Sequence, residues 1–385
     1  MKSIVKVLQW LGFWTQPYQN QKRTMMPLVY IVVYILCLII PAIVYIVRGN
    51  HNFASFLTIA TETISISNIL CLFTNTFFNR LNLERTYDGV RFTMNAFLTD
   101  GHDEIRTQVN QLDRSSDRFF KIYIRFEVVV GVAYLFYSPI VSIVQYASSE
   151  ESPPLHGIFE ADFYFFDTTS NFYQWLLIIV ISWVVLISLM IMLISITSMN
   201  WSLLHHINGL FKVICLKISY LNEYSDERAR TQELFATIEL QERIYRCVRS
   251  MENALNVYML IQFGTCIIMM CMTMMTLILA KDDRDLLIKM VTMLSYIFFH
   301  ILVYSMLSTE LITASTSIAD AIYDVHWYQW SVPEQRVILF VLSRSQRMAK
   351  LTTGKFFDVN RETFGKTLQT AVSYFAVLLQ LYGSQ

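Results

Sequence analysis

Lys366, Thr370, Ser373, Val377, Gln380 and Ser384 recur at steps of four, three, four, three and four near the carboxyl end. That spacing places them on one face of a helix. The stretch that carries them, 361–382, is otherwise apolar enough to cross a bilayer. A polar face in lipid has to meet protein or water. Two readings are open: a hydrogen-bonding seam inside one bundle, or the wall of a water-filled conduit shared by several subunits. Val377, and Leu381 one step beside the stripe, are apolar and suit a constriction that closes by dewetting. Gln380 between them offers an amide to a partly dehydrated cation.

Other residues with chemical potential are sparse. Glu62, His300 and Glu310 fall in apolar stretches, where such groups mark function or find a polar partner. For His300 a pocket wall and a satisfied structural histidine are both open. His205 and His206 are adjacent, so on a helix they point to different faces and do not form a metal pair. Glu150, Glu151, Glu160, Asp162 and Asp167 lie in 147–171 without a basic residue. They read either as an outer field attractive to cations or as a solvated loop. The six cysteines sit in or beside helical patterns and read as packing residues. No phosphate-binding loop, dinucleotide fingerprint or catalytic triad is present. The chain reads as a non-enzyme with no cofactor and no metal.

The elements that must position these groups are membrane helices. Hydrophobic residues make up 54% of the 385 and charged residues 16%, with a mean hydropathy of +0.42 and a net charge of zero. Soluble domains carry about 25% charge, so an all-α membrane bundle is expected and nucleic acid is not. Seven spans are expected, at 28–47, 54–78, 122–146, 172–196, 257–280, 287–311 and 361–382. Segments 1–27, 79–121, 212–255 and 320–355 hold 23 lysines and arginines, against four in 48–53, 147–171, 281–289 and 383–385. By the positive-inside rule the amino terminus is cytoplasmic and the carboxyl terminus extracellular.

Around those spans, "MKSIVKVLQWLGFW" reads as an amphipathic helix on the cytoplasmic membrane surface, within a segment 1–27. It has no cleavage site, so the first span is expected to act as the targeting signal. Residues 28–330 carry six spans, with helical periodicity running past the fourth and into the fifth. Residues 331–350 read as a cytosolic amphipathic helix, started by Ser331, Pro333 and Glu334 as a capping box. Residues 351–385 carry the last span. The cytosolic parts of spans four, five and six are expected to pack with helix 331–350.

The carboxyl-terminal run "SRSQRMAKLTTGKFFDVNRETFGKTLQTAVSYFAVLLQ" resembles the insect odorant receptor family through "RSQ", "LTTGKFF", "ETF" and "SYF" followed by "LLQ". "AIYDVHWYQW" upstream is similar too. The resemblance implies a tetrameric ligand-gated cation channel whose last helix lines the pore and whose cytosolic helix ends anchor the subunits. It implies pore or gate roles for Thr370, Ser373, Val377, Gln380 and Leu381. The family's shared co-receptor carries a large insertion before span five, and this chain does not. "NRETF" and "SYFAVLLQ" resemble the odorant-tuned branch. The implied partners are therefore the co-receptor, a small apolar volatile, permeating cations and membrane lipid. The implied location is the plasma membrane of an olfactory neuron's dendrite.

The resemblance also places a pocket among spans two, three, four and six. In their outer halves the candidates are Ser65, Asn68, Gly131, Tyr134, Trp175, Ile179, Tyr296, Phe299 and His300. A G-protein-coupled receptor is disfavoured by the inverted orientation and by the lack of Asn-Pro-x-x-Tyr in the last span. A transporter is disfavoured by only 11 glycines and 7 prolines. A gustatory-type receptor is the nearest alternative, and "RSQ" with "SYF" favours the olfactory branch.

Overall fold

Five helices run well beyond a bilayer's thickness. They are α4 (Phe53–Leu98), α5 (Asp103–Ser148), α6 (Phe172–Ser219), α7 (Glu227–Leu279) and α8 (Arg284–Asp324). At 1.5 Å per residue the 46 residues of α4 extend about 70 Å, against a hydrocarbon core of about 30 Å. Short helical turns aside, the remaining described elements are α1 (Lys2–Trp10), α2 (Met26–Tyr34), α3 (Ile40–Arg48), α9 (Val332–Ser345), a β1–β2 hairpin (Thr352–Thr353, Phe357–Asp358) and α10 (Arg361–Gly383). The computed structural model describes residues 1–14, 25–49, 53–148, 155, 157–159, 161, 171–279 and 283–383. Glu150, Glu151, Glu160, Asp162, Asp167 and Ser384 lie outside the described residues.

Among the described residues, six helical segments are long and apolar enough to cross a membrane, with α2 and α3 counted as one. Helix α10 has the length, at 23 residues, but its polar stripe keeps it less apolar than the rest. The first span is not one regular helix. A π-helical turn, Ile35–Ile39, joins α2 to α3, and the Ile40 N–H donates to the Ile35 carbonyl. Pro41 follows directly; a proline lacks a donor and crowds the preceding turn, which widens the ladder.

Helical extension is broader than expected from the sequence, because α4 and α5 run on beyond their apolar stretches as well as α6, α7 and α8. Residues 79–98 stay helical because Leu83, Tyr87, Val90, Met94 and Phe97 form a buried stripe at steps of three and four. Ile105, Val109 and Leu112 do the same on α5. Helix α4 packs most extensively against α7, and α6 against α8. Helix α1 is amphipathic as expected. Its apolar face is covered by protein, however: Ile4, Val5 and Leu8 are buried, and α1 packs on α6.

Helix α9 is shorter than 331–350. Its start is the expected capping box, with the Ser331 N–H donating to Glu334 at 3.1 Å. Its end comes at Ser345, where the chain turns and the Ala349 N–H donates to the Ser315 hydroxyl at 3.0 Å. Arg230 of α7 grips Glu334 with two hydrogen bonds of 3.0 and 2.9 Å, and Thr231 adds a third at 3.0 Å. Burial alone would raise the Glu334 carboxyl, but the donors from Arg230, Ser331 and Thr231 outweigh it and hold it down at about 2.

The "RSQ" and "LTTGKFF" motifs close the same end of the bundle. Arg344 lies 3.8 Å from the Tyr245 ring centre, and buried Ser345 accepts from Gln241 at 2.9 Å. In the hairpin, Gly354 has φ +58°, and a Cβ there would sit 2.7 Å from Leu260. The turn therefore needs glycine both for its left-handed backbone and for its approach to α7. The Gly354 N–H donates to the Asn256 carbonyl at 2.8 Å, and the Thr352 N–H to Glu252 at 2.8 Å.

Candidate functional site

Four helices line a cavity of about 120 Å³. Each contributes residues at helical spacing: Glu62, Ser65, Ile66 and Ile69 from α4, and Glu127, Val130, Gly131, Tyr134 and Leu135 from α5. Helix α6 supplies Leu186, Leu189, Met190 and Leu193, and α8 supplies Thr292, Met293 and Tyr296. Phe159, from the α5–α6 connection, completes the wall. The lining is thus mostly aliphatic, with two carboxyls and a few hydroxyls. An engineered apolar cavity of about 150 Å³ accepts benzene, so a single small ring is the scale of guest that fits.

Glycine leaves room for a neighbouring side chain at one wall position. A Cβ on Gly131 would lie 2.5 Å from the Met190 thioether, which lies against the bare backbone. Any larger residue moves that side chain and reshapes the cavity.

Both carboxyls are buried and held. Glu62 Oε1 accepts from the Tyr134 hydroxyl at 2.9 Å and pairs with Lys289 Nζ at 3.0 Å. Glu127 Oε1 lies 2.8 Å from His300 Nε2. Below this pair sits an aromatic floor. The rings of Tyr296 and His300 are 4.4 Å apart, those of Phe126 and Phe299 4.1 Å, and those of Tyr123 and Trp201 4.5 Å.

Of the nine pocket candidates, Ser65, Gly131, Tyr134 and Tyr296 line the cavity. Phe299 and His300 belong to the aromatic floor, and His300 reaches the cavity through Glu127. Asn68 turns toward α7, donating to Gln262 at 2.7 Å. Trp175 and Ile179 are buried about three and two turns before Leu186 on α6, outside the lining. Glu310, the third charge in an apolar stretch, pairs with Lys212 at 2.6 Å, away from the cavity. Besides the aliphatic part of the lining, sequence reasoning missed two charged residues at the cavity, Glu127 in its wall and Lys289 paired to Glu62. The signal was available: each is a charge within or at the edge of an expected span.

Helix α10 stands apart from the cavity. It packs on α7 and α8 through one side, where Thr367 and Ala371 are buried. Lys366, Ser373, Val377, Gln380 and Leu381 are exposed, and Thr370 is half-buried. The Thr370 and Ser373 hydroxyls each donate to a carbonyl one turn back, at 2.8 Å. Among the described residues, then, most of the stripe is left exposed within one chain.

Residues 52–372 match the family model described as 7tm Odorant receptor. The chain is 26% identical to Odorant receptor 2a of Drosophila melanogaster over 151 residues, 39% of this chain and 38% of that protein. It is 28% identical to Odorant receptor 30a of the same species over 173 residues, 45% of each. The match to the Odorant receptor coreceptor of Ooceraea biroi is shorter: 33% over 86 residues, 22% of this chain and 18% of that one. The aligned regions thus span less than half the length of these curated relatives. In fold, the chain is similar to the insect olfactory receptor OR5 from Machilis hrabei, with a TM-score of 0.80 at 19% identity, over 99% of this chain and 97% of that one.

Proposed function

The chain belongs to the 7tm odorant receptor family, and on that premise we propose that it is the odorant-binding subunit of a tetrameric ligand-gated cation channel assembled with the co-receptor. The observation that carries this reading is the presence, in one chain, of an apolar cavity between helices and of a separate helix whose polar stripe is largely exposed. A cavity of that size suits a small volatile. A stripe that its own chain leaves bare suits a conduit completed by neighbouring subunits.

In this reading the amino terminus is cytoplasmic, the carboxyl terminus extracellular, and the cavity opens toward the outer leaflet. The end of the bundle built by α9, the hairpin and the long helix ends is the cytosolic anchor. Ser65, Gly131, Tyr134 and Tyr296 contact the odorant, with Asn68, Trp175, Ile179, Phe299 and His300 supporting the wall. Thr370, Ser373 and Gln380 face permeating cations; Val377 and Leu381 form the closed constriction. The solved relative from Machilis hrabei, also described in complex with eugenol, supports a small organic ligand. The lipid-facing multi-pass bundle would sit in the dendritic plasma membrane of an olfactory sensory neuron.

The deciding experiment is current recording from cells expressing this chain with and without a co-receptor, across an odorant panel. Odorant-evoked cation current that requires both chains is expected. Surface-expressed protein that gives no current with any member of a broad panel would remove the channel reading.

A further inference from the structure

A carboxyl oxygen in the cavity lining has incomplete bonding among the described residues. Glu62 is 3% exposed; its Oε1 serves both Tyr134 and Lys289, while its Oε2 is buried without a hydrogen-bond partner among the described residues. Glu62 lines the cavity together with aliphatic groups such as Ile66, Leu186 and Met293. A buried carboxyl oxygen without a donor is costly, and a donor supplied by a guest relieves that cost.

The surrounding charges restrict what that donor can be. Lys289 already balances the Glu62 carboxylate at 3.0 Å, so an added ammonium would meet a like charge beside it. A ligand carboxylate would face Glu62 and Glu127, both on the wall. An ether or ester has no hydrogen to give. A neutral hydroxyl satisfies the free oxygen and leaves the charges balanced. From this geometry we infer that the cavity selects small, single-ring-sized apolar alcohols or phenols, recognised by a hydrogen bond from the ligand hydroxyl to Glu62 Oε2. The inference rests on reading this cavity as the odorant site, and it names the ligand class.

The test uses the full-length chain purified in detergent, with binding read as the ligand-induced rise in thermal unfolding temperature. The probes are benzyl alcohol, benzyl methyl ether, benzylamine and benzoate. Benzyl alcohol is expected to bind about tenfold or more tighter than the ether, because the ether leaves Oε2 unpaired. In the double variant Glu62→Met/Lys289→Met, both charged partners become apolar and the alcohol-to-ether ratio should fall to about one. Glu62→Gln is the second variant. It keeps an acceptor for Tyr134 and turns an amide N–H toward the cavity, to which the alcohol and the ether oxygen can both accept, so the alcohol preference should again fall to about one.

Equal wild-type affinity for alcohol and ether overturns the inference, as does tighter binding of the amine or the benzoate. Failure of the folded wild-type chain to bind any of the four also overturns it. Selective alcohol binding without odorant-evoked current in cells carries the inference and removes only the channel reading.

Discussion

His300 on α8 and Glu127 on α5 are joined at 2.8 Å, Nε2 to Oε1, with side chains 2% and 4% exposed. This bond ties the aromatic floor to the cavity wall. Replacing one member leaves the other buried without its partner, whereas replacing both with apolar groups removes the unmet demand. His300→Leu is expected to lower the stability of the purified chain by about 3–5 kcal/mol. Glu127→Leu/His300→Leu should recover most of that loss in thermal unfolding. A double variant as unstable as the single one would mean that ring packing, not the hydrogen bond, holds the site.

Glu334 gives a pH prediction. Its carboxyl is held at about 2 in the folded chain against an ordinary 4.5. A folded value below the unfolded one stabilises fully above about pH 4.5 and is lost as pH falls from there toward 2. The wild type should therefore lose stability in that window more steeply than Glu334→Gln. At neutral pH the variant should be less stable by about 1–3 kcal/mol, since it weakens the Arg230 grip. Parallel acid profiles for the two proteins would contradict the assignment.

Two substitutions test the cavity by size. Gly131→Ala drives a methyl against the Met190 thioether and is expected to weaken responses to the bulkiest activating odorants more than to the smallest. Tyr296→Ala removes a ring from the wall and should shift odorant potency by an amount of order 1.5–3 kcal/mol. Surface expression should persist in both. Unchanged dose–response curves would place the odorant elsewhere.

Helix α10 is tested by accessibility. Cysteines at Thr370, Ser373 and Val377 should react with charged thiol reagents and reduce current, whereas Ala371, fully buried against the chain's own helices, should not. Val377→Ser or Leu381→Ser should raise unliganded current, because a polar ring wets more readily. Gln380 substitutions should alter ion selectivity. Because Ala376 and Leu379 are also exposed in one chain, their reactivity separates a conduit from a lipid-facing surface: low reactivity with charged reagents is expected there. Uniform reactivity around the helix would sink the pore assignment.

Much of the architecture was legible before any coordinates. The apolar runs predicted helical spans because a bilayer demands about 20 apolar residues with every backbone group satisfied internally. The steps of four and three from Lys366 to Gln380 put the stripe on one face, and Ser331 with Glu334 marked the start of α9. These are local properties, set by a single helix's period and its caps. The extension of α4 and α5 was legible in principle, since Leu83, Tyr87, Val90 and Met94 keep the period. Charged residues between them masked it.

What only tertiary structure decided is which polar groups meet. Asn68 and Ser65 lie three residues apart on α4, yet Asn68 turns to Gln262 on α7 and Ser65 to the cavity. Glu62 finds Lys289 more than two hundred positions away, and Glu127 finds His300. Helix period tells which residues share a face, but the neighbour of that face depends on how long helices cross. Glu62 keeps an unpaired oxygen among the described residues because three helices, α4, α5 and α8, converge there with two partners for one oxygen and none for the other.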